Sequence, residues 1–548
     1  MSNHIRQNNN PYSPLSESTE AVTIPNVDRH DRVFDHYGSF PDDCSIYDRP
    51  TSGSFSDHIG SFVGSYSRTS LMHMAENLAV PSYDNHSLGN EDVLSVRSQA
   101  RSRHDIRDRE LSQDTVHEQA SLLYPSLSKV HTNASLATVA DTYAADLRIH
   151  LAKKSTFFQS LFNSVNVLVG IGILALPLGF KCAGWVIGSL VFLFSVCITN
   201  YTAKLLAKCM DAGHDVHTYG DMGAAAFGMR GRISISILFL TELITGSVAL
   251  VVLLSDGIDS LFPGLDPLAI RIISYFILTP TLFLPIRHLS YTSLLGIISV
   301  LSVLVVILLD GFSKPNTPGS LLEPADTEVW PAKWSAVPLS FGLIMAGFAG
   351  HGVFPTIYRD MQCPKRYGSM VNWSYLITAI VYFMVAVSGY LMFGSETMQE
   401  ITQNLIAVPE YNATLNRVAV WLVALTPISK YALASNPINV SLEIMLFGHQ
   451  GVANWCGKGH WRTTTLTVVS RVTESAVVVT LAYMLPEFDK VMSLLGAFFS
   501  YVISAIFPIV CHLRLFNHTI PPWEKYMSWV LLVISTIMAI IGTIWSFI

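Results

Sequence analysis

The stretch Phe162–Trp185, FNSVNVLVGIGILALPLGFKCAGW, decides the fold. It is long and apolar enough to cross a membrane, which takes about 20 residues of helix. Yet Gly170 and Gly172 sit near its middle, and Pro177 follows shortly after. Glycine costs roughly 1 kcal/mol in a helix interior and proline about 3, so a plain anchor has no use for either. Backbone groups freed at membrane depth are tolerated only where they line a cavity or lie inside protein. The segment therefore reads as a broken spanning helix that forms part of a ligand site. The other reading, glycines that let two helices pack closely, stays open on this segment alone.

Composition agrees with a membrane protein. Of 548 residues, 50% are hydrophobic and only 14% charged, against about 25% charged in soluble domains. Mean hydropathy is +0.40. The net charge of -6 is small, and no run of like charge points to nucleic acid. Cysteines 44, 182, 197, 209, 363, 456 and 511 are scattered, so they support neither a zinc site nor a disulfide framework. No cofactor is implied. The first 154 residues are polar, lack a signal-peptide apolar core and hold no sustained apolar run. They are expected to form a largely disordered cytosolic tail, with short helices around Leu71–Leu78 and Thr138–Lys154. Ser98 and Ser102 lie beside arginines, as basic-directed kinases prefer, or belong to a plain solvated tail.

From residue 155 to 548 the chain reads as a transmembrane domain. Eleven apolar segments are expected to span, near 157–180, 184–207, 233–255, 268–287, 290–310, 336–358, 370–393, 415–435, 466–485, 491–512 and 526–547. The fold class is an all-α polytopic membrane protein. Lysine and arginine concentrate in alternate loops, among them Lys204, Lys208, Arg230, Arg232, Arg359, Lys365, Arg366 and Arg514. The opposite loops hold few cations and many acids. This bias places the N-terminus in the cytosol and, with eleven spans, the C-terminus on the far side. The sequon at Asn412 falls in a far-side loop, where glycosylation occurs.

Span six, VPLSFGLIMAGFAGHGVFPTIYRDM, repeats the pattern of span one, with Gly347, Gly350 and Gly352 followed by Pro355. Two spans five apart run in opposite directions, as a five-plus-five inverted repeat requires. Interrupted segments in matching positions of two halves point to a transporter binding site. Asn166, Gly170, Ile171 and Gly172 are expected to face Phe348, Ala349, Gly350 and His351. Half-helix N-termini hold a carboxylate and freed carbonyls hold an ammonium group, so a zwitterionic amino acid fits.

Three motifs carry a family resemblance: NSVNVLVGIGILALPLGFKCAGW (163–185), TYGDMGAAAFGMRGR (218–232) and GHGVFPTIYRDMQCP (350–364). They resemble the amino acid/auxin permease family, and within it the fungal vacuolar amino acid transporters and the vesicular inhibitory amino acid transporter. The resemblance implies eleven spans, broken helices one and six, and the inverted-repeat fold of the amino acid–polyamine–organocation superfamily. It further implies proton-coupled movement of neutral amino acids, in the fungal branch from cytosol to vacuole by proton antiport. A plasma-membrane symporter and an amino acid sensor with a signalling tail are the alternatives. No phosphate-binding loop, nucleophile elbow or metal motif appears, so the chain is not expected to be an enzyme.

Ionisable residues at membrane depth are costly. Glu242 in span three is a candidate proton carrier, or a group bonded to a neighbouring helix. His351, inside the second break, is a candidate for both substrate and proton contact, or a strut that holds the break open. Arg471 and Glu474, three residues apart, are expected to pair with each other. Asp256 and Asp310 are expected to be hydrated at span ends, and Lys430 to reach the interface. The sequence does not speak to oligomeric state.

Overall fold

Prolines, glycines and polar caps decide where the helices start and stop. The computed structural model describes Ser65, Thr69 and residues 154–213, 216–284, 286–456 and 460–548. The tail helices expected at Leu71–Leu78 and Thr138–Lys154 and the expected disorder lie outside them, apart from Ser65, Thr69 and Lys154. Every named element is helical, and among the described residues the only β contact is a lone bridge between Ser155 and Met361.

Helix α1 (Phe157–Leu168) starts at Thr156, whose side chain and that of Gln159 each bond the other's backbone N–H. It stops at Val169, where the backbone turns extended, and a 3₁₀ turn follows over Ile171–Ala175. Helix α2 (Leu176–Met210) takes Pro177 in its first turn, where a missing N–H is harmless, and kinks at Gly184. Helix α3 (Tyr219–Leu261) begins with a second capping box, Thr218 with Asp221, and kinks at Gly228. Helices α4 (Pro267–Leu278) and α5 (Ile286–Ser313) follow, joined through a 3₁₀ turn over Thr279–Phe283.

The second interrupted segment runs as α6 (Val337–Ala346), a non-helical stretch, then α7 (Phe354–Asp360). Next come α8 (Tyr367–Phe393), α9 (Ile401–Ala407) and α10 (Ala413–Gly448), then α11 (Gln450–Cys456) and α12 (His460–Met484). Helix α13 (Phe488–Leu494) passes into a π-helical run over Leu495–Ile506 and then α14 (Phe507–Leu515). Helix α15 (Pro522–Trp545) is the last.

Among the described residues, seven helices are long and apolar enough to cross a membrane, and three shorter apolar helices accompany them. Large apolar side chains such as Leu190, Phe276 and Ile540 point outward, which suits lipid better than water. The core surrounds the two interruptions: Leu168, Ile173, Phe180, Leu343, Phe348, Phe354 and Tyr382 are all buried in one cluster. Helix α8 packs on α1 and α2, and α6 packs on α2 and the π-helical run. At the end of the bundle where α1 begins, Ser155 and Asp360 tie the two interrupted segments, Ser155 N–H donating to the Asp360 carbonyl at 2.7 Å.

Several polar expectations change. Arg471 pairs with Glu443 of α10 at 3.0 Å and donates to the Leu282 carbonyl at 2.8 Å, while Glu474 accepts from Asn439. Reach explains this: a neighbouring helix offers the long guanidinium both a carboxylate and a carbonyl. Asp310 is buried, not hydrated. Lys430 lies half-buried over Gly296 of α5. Cys363 alone among the described cysteines is disulfide-bonded, a pairing the spacing did not announce.

Candidate functional site

The two interruptions touch each other. A Cβ built on Gly172 would come within 3.0 Å of the Gly347 Cα and N, so only hydrogen fits between these backbones. Gly350 has φ +149°, a conformation that L side chains rarely adopt, and a Cβ there would meet Val167 at 2.9 Å. Gly170 is different. Its φ of -117° and ψ of -168° are extended, and no atom lies closer to its Cβ position than 3.9 Å.

One residue absent from the sequence reading takes up the freed backbone. The Tyr382 hydroxyl on α8 donates to the Leu168 carbonyl at 2.6 Å and accepts from the Gly170 N–H at 3.2 Å. The hydroxyl replaces the helical bonds that the first break loses. Phe348 fills the space between the breaks, fully buried, edge-on to Phe192 at 5.4 Å and to Tyr382 at 5.5 Å.

His351 is also fully buried. Its Nε2 lies 3.1 Å from the Thr199 carbonyl and 2.9 Å from Thr202 Oγ1. A carbonyl only accepts, so Nε2 carries the proton and Nδ1 is the acceptor. No group bonds Nδ1. Thr202 Oγ1 lies 2.6 Å from the Ser504 carbonyl of the π-helical run, to which it donates. π-helical turns free carbonyls and recur at functional sites. His351 thus links the second break to α2 and, through Thr202, to the segment after α13.

Asn166 is buried one turn before Gly170 on α1. Gly170, Ile171, Ala349 and Gly350 remain partly exposed while Gly172, Phe348 and His351 are sealed, so the site is narrow and mostly closed. Two apolar hollows, about 460 and 200 Å³, are lined by residues such as Phe312 and Trp421 and include no break residue. The structure brings the eight expected binding residues into two facing segments.

Glu242 is not among them. It is half-buried on α3, a helix that packs chiefly on α10, α12 and the segments after residue 488. Asn412 stands exposed at the start of α10, where its Oδ1 caps the Thr414 and Leu415 N–H groups at 3.1 Å each. Asn163, one turn before Val167, donates to Ser65 Oγ at 2.9 Å and Thr69 Oγ1 at 3.1 Å. Ser65 Oγ also lies 2.7 Å from Ser155 Oγ. The sequence reading missed Tyr382, Thr202 and the π-helical carbonyl. The signals were faint: one tyrosine hydroxyl in an apolar span, the Thr199–Thr202 pair, and the Ser500–Ser504 spacing of four.

Residues 153–548 match the family described as transmembrane amino acid transporter protein. The chain belongs to this family. The match bears out the resemblance to the amino acid/auxin permeases. This transmembrane amino acid transporter is 33% identical over 404 residues to amino acid transporter AVT1B of Arabidopsis thaliana, covering 72% of this chain and 71% of that protein. It is 32% identical to AVT1C, covering 72% and 70%, and 30% identical to AVT1I, covering 71% and 94%, both from the same plant. Among solved structures it is similar to Mhp1 in an inward-facing conformation, with TM-score 0.45 and 15% identity over 72% of this chain and 90% of that one. A Na⁺-coupled sialic acid symporter gives TM-score 0.44 and 13% identity over 70% and 88%. The transporter is a membrane protein that moves amino acids, and not an enzyme.

Proposed function

We propose that this transporter is a proton-coupled secondary active carrier of neutral amino acids that loads them from cytosol into vacuole in exchange for protons. The observation that carries the reading is the contact of the two breaks at Gly172 and Gly347, which sets two discontinuous helices around one point. Asn166, Gly170–Gly172 and Phe348–His351 hold the substrate. Backbone N–H groups beside the breaks take the carboxylate. The unbonded Nδ1 of His351 and freed carbonyls take the ammonium group. The closeness of Phe348 to the break leaves room for a small side chain. No charged side chain stands among the eight binding residues, in keeping with a neutral substrate.

Under this reading the domain from 155 to 548 spans eleven times in a five-plus-five inverted repeat plus one helix, following a tail of 154 residues. The N-terminus is cytosolic and the C-terminus lumenal, and Asn412 bears a glycan through Nδ2, which its cap leaves free. Glu242 and His351 are the candidate proton carriers within the spans. The test is uptake of radiolabelled neutral amino acids into proteoliposomes with an acid interior. Accumulation that collapses with a protonophore is expected. Binding without gradient-driven accumulation sinks the carrier in favour of a sensor, a reading to which the contact of tail residues Ser65 and Thr69 with Asn163 lends support.

A further inference from the structure

We propose that Asp256 and Glu400 share a proton, forming a proton-binding site at the end of the bundle opposite the start of α1, and that this proton holds the loop before α9 against α3. Glu400 is only 2% exposed. Its second oxygen accepts from Thr402 Oγ1 at 3.2 Å, while Oε1 is buried without a donor among the described residues. What faces it is the Asp256 carboxyl, within hydrogen-bonding reach. Two ionised carboxylates are both acceptors and repel, whereas one proton between them turns one into a donor. That single proton satisfies the orphaned oxygen.

The surroundings favour the shared proton. Asp259 lies further along α3, Asp489 faces the pair from α13, and Arg271 on α4 is the cation beside Asp256. Arg271 also donates to the Val251 carbonyl at 3.4 Å, so its guanidinium is shared between Asp256 and a backbone oxygen. Burial, and then the charge of Asp256, push the Glu400 carboxyl well above its ordinary range. Asp256 is half-buried and gives the proton a path to water. Among the described residues no trio of His, Cys, Asp or Glu is arranged for a metal ion. The rest of the loop is held by other bonds: Lys181 donates to the Thr397 carbonyl at 2.8 Å, and Gln399 accepts from the Phe488 N–H at 3.1 Å.

The site reaches the first break. Helix α9 begins at the next residue, Ile401, and rests on the 3₁₀ turn Ile171–Ala175. A carboxyl whose value is raised in the folded state gives stability below its ordinary value that is lost as pH climbs through the raised one. The loop is therefore held in acid and loosened only as pH climbs through the raised range of Glu400. Its consequence for flux rests on the carrier reading above; proton binding itself does not.

The test uses the full chain, purified and reconstituted, with the near-isosteric variants Glu400→Gln and Asp256→Asn. Infrared difference spectra between an acid pH and a pH above the raised carboxyl range should show a protonated-carboxyl stretch in the parent protein that Glu400→Gln removes and Asp256→Asn shifts. A band unchanged in both variants overturns the proposal. Amino acid exchange is then measured at the same two internal pH values. The parent rate should differ about tenfold between them, one unit's worth of coupling, and the variants by less than about twofold. A retained tenfold dependence in both variants also overturns it. If the infrared result holds while no flux is seen, the carrier reading fails and the proton site stands.

Discussion

Tyr382 is the residue on which the first break depends. Its hydroxyl serves two backbone groups at once, and an unsatisfied buried polar group costs roughly 1–3 kcal/mol. Tyr382→Phe should lower the rate of amino acid uptake about tenfold while the protein still inserts and folds, as checked by size-exclusion profile and protease resistance. The glycines separate by the same reasoning. Gly172→Ala places a methyl within 3.0 Å of the Gly347 backbone and should abolish uptake. Gly170→Ala meets nothing closer than 3.9 Å on extended backbone and should leave at least about half of it, since any residue adopts that conformation. Equal losses in the two variants would refute the assignment of contact to Gly172. The sequence marked both glycines alike, because spacing shows that a helix breaks but not which backbone the break lies against.

At the scale of the element, the interruptions themselves were legible in the sequence. Paired Gly-x-Gly and proline signals in spans one and six predicted them, and α1, the 3₁₀ turn, α6 and α7 lie where expected. The partners that steady them were not, since Tyr382, Thr202 and Ser504 come from other helices and only packing brings them in. The same holds for Arg471. Its neighbour in sequence was Glu474, but its neighbour in space is Glu443. Arg471 is buried and bridges α12 to α10 and to the turn after α4. Removing one member of a buried pair costs about 3–5 kcal/mol. Arg471→Ala should thus lower the thermal midpoint sharply, and a double change with Glu443→Ala should recover part of the loss. An additive double variant would show that the pair carries no coupling.

For the whole molecule, the proposed carrier mechanism requires that the two ends of the bundle open in turn around the breaks. Glu242, on α3, stands apart from the proposed substrate residues, so a proton bound there would act through helix packing and not by contact. Glu242→Gln should flatten the dependence of uptake on external pH while leaving exchange at zero gradient within about twofold; an unaltered pH profile would remove it from the proton path. Fold class and the two breaks followed from apolar length and glycine placement. The polar ties at each end of the bundle did not, because they join residues far apart in sequence, 94 positions for Thr69 and Asn163 and 205 for Ser155 and Asp360. One of those ties changes how a shortened protein should be regarded. Ser65 and Thr69 supply the two hydroxyls that Asn163 uses, far upstream of the first helix. A chain trimmed to residue 154 does not merely lose an appendage. It leaves the Asn163 amide, midway along α1, without these two acceptors, so rates from such a trimmed protein are measured on an altered first helix.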